Sequence, residues 1–145
     1  MKVKKFELLM EVTKEYECGY NVSCASDLYK FACEFAKLDK KNREVILLVG
    51  MTAKGEICFS EVFSGGITQA MIEPAEIFRA LLLSNCVSYA VLHPHPSQDT
   101  TPSREDIEVT HRLQECSKLL NIRLLDHLIV SSEGYTSLLA EGYMD

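Results

Sequence analysis

Apolar and polar positions change period from block to block along this chain, and the period names the elements. Leu28, Phe31, Ala32, Phe35 and Ala36 recur at helical spacing, which predicts a helix over 27–38 with Ser26 as its N-cap. Val45-Ile-Leu-Leu-Val49 is a continuous aliphatic run that stops at Gly50 and predicts a buried strand. Gly55 turns the chain into a second strand over 56–63, and Gly65-Gly66 turns it into a short third over 67–72. Pro74 suits the first turn of a helix reaching Asn85, with Ile77, Leu81 and Leu82 on one side. Val87 to Leu92 reads as a strand, followed by a polar loop and a helix from Ser103 to about Leu120. Ile107, Leu113, Cys116 and Leu120 are that helix's inward candidates. Ile122 to Val130 and Tyr135 to Leu139 are the last strands, with a turn over 132–134. Residues 3–12 mix apolar and charged positions and give a weak strand signal. Strands and helices interleave, so the fold class is α/β: a mixed sheet with helices packed on it.

Composition adds bounds. The 145 residues suit one domain with a real core, and 47% hydrophobic with 25% charged residues is ordinary for a globular chain. A net charge of -6 argues against binding nucleic acid mainly through phosphate neutralisation. Glu7 and Glu11 interrupt any apolar leader core, and no run reaches the roughly 18 apolar residues of a membrane span. A cytoplasmic, membrane-free protein is expected. The six cysteines form no Cys-x-x-Cys pair and read as reduced thiols.

The chemistry concentrates after residue 92. His93 and His95 each precede a proline, which biases both towards extended backbone, where residues i and i+2 point to one side. Ten residues separate His95 from Asp106, which lies three residues after Ser103. Two imidazoles and a carboxylate are the ligand set of a catalytic zinc that keeps an open position. Ser103-x-x-Asp106 is equally an ordinary capping box, and the two roles are compatible. His111, about 140° around the helix from Asp106, faces elsewhere. His127, in an apolar strand, reads as a satisfied core histidine with a second role beside the ligands left open. Asp99 reads as a loop-turn residue.

His93-x-His95-Pro96, the ten-residue gap and Ser103-x-x-Asp106 resemble the JAMM motif of the JAB/MPN zinc metalloproteases. The chain is most similar to the RadC-like branch, whose pattern is His-Asn-His-Pro-Ser-Gly-Asp, then Pro-Ser-x-x-Asp-Ile, then Thr. Here the residues are His93-Pro-His95-Pro-Ser-Gln-Asp99, Pro102-Ser-Arg-Glu-Asp-Ile107 and Thr110. Leu125-Asp-His-Leu-Ile-Val130 and Pro74 to Ala80 are also similar to that branch. The resemblance implies one RadC-like JAB/MPN domain over 24–145, with 1–23 as an N-terminal extension. It also implies a cytidine-deaminase-like layered architecture. Pro94 stands where the branch has Asn, and Gln98 where it has Gly. Pro94 removes a backbone N–H and Gln98 adds a side chain, which bears on substrate preference rather than on the ligands.

The resemblance further implies one Zn2+ per chain held by His93, His95 and Asp106, with Glu44 as the catalytic carboxylate. A metal hydrolase needs such a group to take a proton from water and return it to the leaving group. The plain alternative for Glu44 is a solvated strand-end charge beside Arg43, and Glu56 and Glu61 are weaker rivals that alternate with apolar neighbours. The Ser103 hydroxyl is placed to donate to a developing oxyanion.

Two function classes follow. The first is a JAMM-type hydrolase cleaving an amide, peptide or isopeptide bond in a peptide or protein substrate. The second is a non-catalytic metal-binding accessory module acting with DNA-processing partners, because the RadC-like branch is associated with DNA repair. The branch's N-terminal helix-hairpin-helix region does not fit in this length. A homo-oligomer is compatible with the chain. A deaminase-type zinc site needs His-x-Glu and Pro-Cys-x-x-Cys, and neither is present.

Overall fold

The strand that carries His93 and ends just before His95 is paired on both sides and buried over most of both faces. In the computed structural model, which describes residues 1–41, 45–62 and 72–145, it is β3 (Cys86–Pro94). The other strands are β1 (Ile46–Thr52), β2 (Ile57–Val62), β4 (Arg123–Val130) and β5 (Tyr135–Ser137). They form one mixed sheet in the order β2-β1-β3-β4-β5. β3 runs antiparallel to β1 and parallel to β4, and the other two pairs are antiparallel. Burial on both faces explains why β3 reads as a near-continuous apolar run rather than an alternation.

Helices cover both faces. Leu28, Phe31 and Ala32 of α1 (Ala25–Phe35) pack on Leu47, Val49, Ala90, Leu92, Leu128 and Val130. On the opposite face, α2 (Pro74–Leu83) brings Ile77, Phe78 and Leu81, and α3 (Arg104–Leu120) brings Leu113, against Ile46, Leu48, Tyr89, Val91 and Ile129. The result is three layers, helix on sheet on helices. The chain leaves β3, crosses back through α3 and enters the parallel β4. The crevice at the carboxyl end of a parallel strand, beside the next helix's N-terminus, is where ligands bind in such sheets.

Several expected boundaries move. Gly50 was expected to stop its strand, but β1 continues through it to Thr52. A Cβ at Gly50 would stand 2.5 Å from Cys86 Sγ and 3.2 Å from Leu81 Cδ2. The glycine therefore makes room for a neighbouring side chain inside the strand. Helix α1 starts two residues earlier than expected, so Ser26 lies inside it and Cys24 is the N-cap. Asp27 anchors that end instead, accepting from Ser23 N–H and Ser23 Oγ–H at 3.0 Å. The expected strand over 3–12 is not formed: residues 1–18 are neither helix nor strand. Phe6, Leu8, Leu9, Met10 and Val12 stay exposed there. The short strand expected over 67–72 falls almost wholly outside the described residues. Among the described residues, no helix is long and apolar enough to cross a membrane.

Candidate metal centre

Strand alternation puts Val91 and His93 on the face covered by α2 and α3, and His93 is buried there. Pro94 ends the strand two residues past the last β1 pair, Leu47 with Leu92. The missing N–H thus falls where the ladder to β1 is finished, a position proline tolerates. His95 follows on the same side. Across from both, α3 begins at Ser103, whose Oγ accepts from Asp106 N–H at 3.1 Å while Ser103 N–H donates to Asp106 Oδ2 at 2.8 Å. This is a complete capping box with aspartate as its acid.

The same carboxylate faces both imidazoles. Asp106 Oδ1 is 3.1 Å from His93 Nε2, Asp106 Oδ2 is 3.1 Å from His95 Nε2, and the two Nε2 atoms are 3.2 Å apart. Bonds of about 2.0–2.1 Å to a tetrahedral ion place ligand atoms roughly 3.3 Å from one another. The triangle therefore has the size a metal ion needs, and His93, His95 and Asp106 form a group that could hold one. Its chemistry agrees. His95 Nδ1–H donates to the Asp99 carbonyl at 2.8 Å, which turns an unprotonated Nε2 towards the group. Burial pushes the Asp106 carboxyl up. Its polar contacts with His93 and His95 and the bond from the Ser103 N–H outweigh it and hold the group well below the ordinary carboxylate range.

The loop between His95 and Asp106 is tied down at two points. Asp99 Oδ1 accepts from Thr101 N–H at 3.0 Å and Thr101 Oγ–H at 2.7 Å, which fixes the carbonyl that orients His95. Gln98 adopts φ +63°, the left-handed region, which accounts for glycine at this place in the RadC-like pattern. Its side chain offsets that strain by accepting from Ser132 N–H at 2.9 Å and Ser132 Oγ–H at 3.0 Å.

Sequence reasoning underread two residues. His127, fully buried on β4, has Nε2 2.9 Å from His93 Nδ1 and Nδ1 2.6 Å from Thr110 Oγ1. Burial, then the neighbouring His93, lower its pKa to about 3, so it is neutral. The inner face of α3 carries Thr110, Leu113 and Ser117 rather than Ile107 and Leu120, because Thr110 meets His127 and Ser117 meets Tyr89. Asp106, Thr110, Leu113 and Ser117 keep helical spacing, a signal hidden by three of them being polar. His111 Nε2–H donates to the Tyr143 carbonyl, away from the group. Glu61 pairs with Lys41 at 3.3 Å, and Glu56 is exposed. Glu44 lies outside the described residues.

The fold and site define an α/β protein with a two-histidine, one-aspartate centre at the end of a central strand. The profile of the RadC-like JAB domain matches residues 22–143. A UPF0758 protein of Clostridium perfringens is 38% identical over 118 residues, covering 81% of this chain and 51% of the relative. One from Clostridium tetani is 37% identical over 143 residues, covering 94% and 62%. One from Staphylococcus haemolyticus is 39% identical over 111 residues, covering 76% and 49%. The chain belongs to the RadC-like JAB domain family, and it spans about half the length of the curated relatives it matches.

Proposed function

We propose that this chain is a zinc-dependent hydrolase of the JAMM type, acting on an amide, peptide or isopeptide bond in a peptide or protein substrate. The observation that carries the reading is the triangle of His93 Nε2, His95 Nε2 and the Asp106 carboxylate at the carboxyl end of β3. Two nitrogens and one oxygen suit zinc among the divalent ions and leave a coordination position open. When bound, the ion supplies Lewis-acid activation of water and of the scissile carbonyl.

The chain's own residues do the rest. His95 is aimed by the Asp99 carbonyl, and Asp106 is aimed by the Ser103 N–H. Ser103 Oγ accepts from Asp106 N–H and keeps its own proton, so the hydroxyl is available to donate to the oxyanion that forms when the carbonyl is attacked. Glu44 is the proposed general base that takes a proton from the attacking water and then, as acid, gives it to the departing amine. The DNA-repair association of the RadC-like branch suggests substrates among DNA-processing proteins.

Hydrolysis of a panel of peptide and isopeptide substrates by zinc-loaded protein tests this. Activity in the wild type and its loss on the order of 100-fold or more in Glu44→Gln is the expected result. Equal rates in the two proteins remove Glu44 from the chemistry. A zinc-loaded wild type that cleaves nothing in the panel favours the accessory-module reading.

A further inference from the structure

The metal-centre reading, on which this inference rests, requires both histidines to present Nε2 without a proton. A backbone carbonyl enforces that for His95. For His93 the Nδ1 partner is another histidine, and an imidazole pair can point its hydrogen bond either way. We propose that Thr110 and His127 are positioning residues that lock His93 as its Nδ1–H tautomer, with Nε2 left to the metal.

The direction follows from counting protons. Thr110 Oγ1 lies 2.6 Å from the Asp106 carbonyl oxygen and 2.6 Å from His127 Nδ1. A carbonyl oxygen only accepts, so the single hydroxyl proton goes there. Towards His127 the hydroxyl can only accept, so His127 Nδ1 carries a hydrogen. His127 is fully buried, and among the described residues its two ring nitrogens face Thr110 and His93. With one ring hydrogen placed on Nδ1, its Nε2 accepts, and the donor across 2.9 Å is His93 Nδ1–H. His93 Nε2 is then unprotonated and faces Asp106 Oδ1 at 3.1 Å. Each bond fixes the direction of the next.

The relay starts and ends on the same residue. Asp106 offers its main-chain oxygen to Thr110 and its carboxylate to the group beside His93 Nε2. One ligand thereby sets the tautomer of another through two buried side chains. His127 itself is no ligand, because its Nε2 is committed to His93. Neutral imidazole ligands commonly hand their second nitrogen to a carboxylate or carbonyl. Here a threonine hydroxyl, polarised by a helix carbonyl, acts through a second imidazole.

The test combines tautomer assignment with metal affinity. Long-range 1H–15N correlation spectra of 15N-histidine protein, stripped with a chelator and held at pH 8, report which ring nitrogen bears the hydrogen. Wild type is expected to show Nδ1–H for His93, His95 and His127. Thr110→Val removes both the acceptor and the donor at nearly constant volume. It is expected to shift His127 and His93 towards Nε2–H and to weaken Zn2+ binding, measured against a competing chelator, by about 10–100-fold. Thr110→Ser keeps the hydroxyl and restores both readouts, which a packing role alone would not do. Nε2–H on His93 in the wild type, or Thr110→Val with unchanged tautomers and zinc affinity, overturns the relay. If wild type holds no zinc, the metal reading fails by itself, and the tautomers of the stripped protein still decide the relay.

Discussion

Asp106 carries two demands at one atom: Oδ2 accepts the Ser103 N–H and also faces His95. Asp106→Asn separates them. The amide oxygen can still complete the capping box, so in urea unfolding of the zinc-free protein the cap's share, roughly 1 kcal/mol, is expected to be kept while the stability added by the carboxylate charge is lost. Zinc affinity, measured by chelator competition, is expected to fall by at least about 100-fold, since the ligand charge is gone. An asparagine variant that stays folded and binds zinc as the wild type does would assign the residue to capping alone. His93, His95 and Asp106 were legible in the sequence because their geometry is local: two X-Pro steps and one helix start. Thr110 and His127 were legible only as members of a pattern. Their contact with each other and with His93 depends on how two distant strands and a helix align.

That alignment is a property of elements. β3 and β4 pair in parallel with a register shift, Tyr89 opposite Leu124 and Ala90 opposite Asp126, so Leu125 is the extra residue. The shift puts His127 opposite Val91, diagonal to His93 on the same face. Without it, every later β4 side chain would change faces. No periodicity in the sequence announces a one-residue bulge, which is why His127 reads there as a core residue. Gly50 was misread for a related reason: its use is set by Cys86 crossing above it, not by its own neighbours. Gly50→Ala is expected to destabilise the fold by roughly 1–3 kcal/mol in denaturant unfolding, as overpacking does. Pairing it with Cys86→Ala is expected to recover part of the loss, because the 2.5 Å sulfur contact disappears while the Cβ of residue 86 at 3.1 Å and Leu81 Cδ2 at 3.2 Å remain. Additive effects of the two substitutions would dismiss the contact. In the ligand loop, Gln98→Gly relieves the positive φ but releases Ser132. Faster amide hydrogen exchange at Ser132 and over 97–102 is expected with little change in global stability, and unchanged exchange would mean the Gln98 tie is idle.

For the molecule as a whole, the buried polar chain beneath the site makes stability depend on pH. His127 has its folded pKa lowered from 6.5 to about 3, so between those values the unfolded chain binds a proton that the folded chain refuses. Its contribution is therefore fully present above 6.5 and is lost as pH falls towards 3, at roughly 1.4 kcal/mol per unit. Asp106, also depressed, adds stability that survives to lower pH still. Zinc-free protein is expected to lose stability steadily in urea unfolding from pH 7 to pH 4, and His127→Gln to flatten that slope. A wild-type stability that is level over the same range would contradict a buried neutral His127. The α/β class with helices packed on a mixed sheet, and the nearness of His93, His95 and Asp106 to one another, were readable from pattern and spacing. Glu44 lies outside the described residues, and its proposed role as general base is what the substrate panel tests. The proposed hydrolase depends on one property of the triangle formed by His93, His95 and Asp106, its capacity to hold zinc. Metal analysis of purified protein after reconstitution with Zn2+ and removal of excess is expected to find about one zinc per chain in the wild type and none in His95→Ala. Wild-type protein that retains no zinc would contradict it.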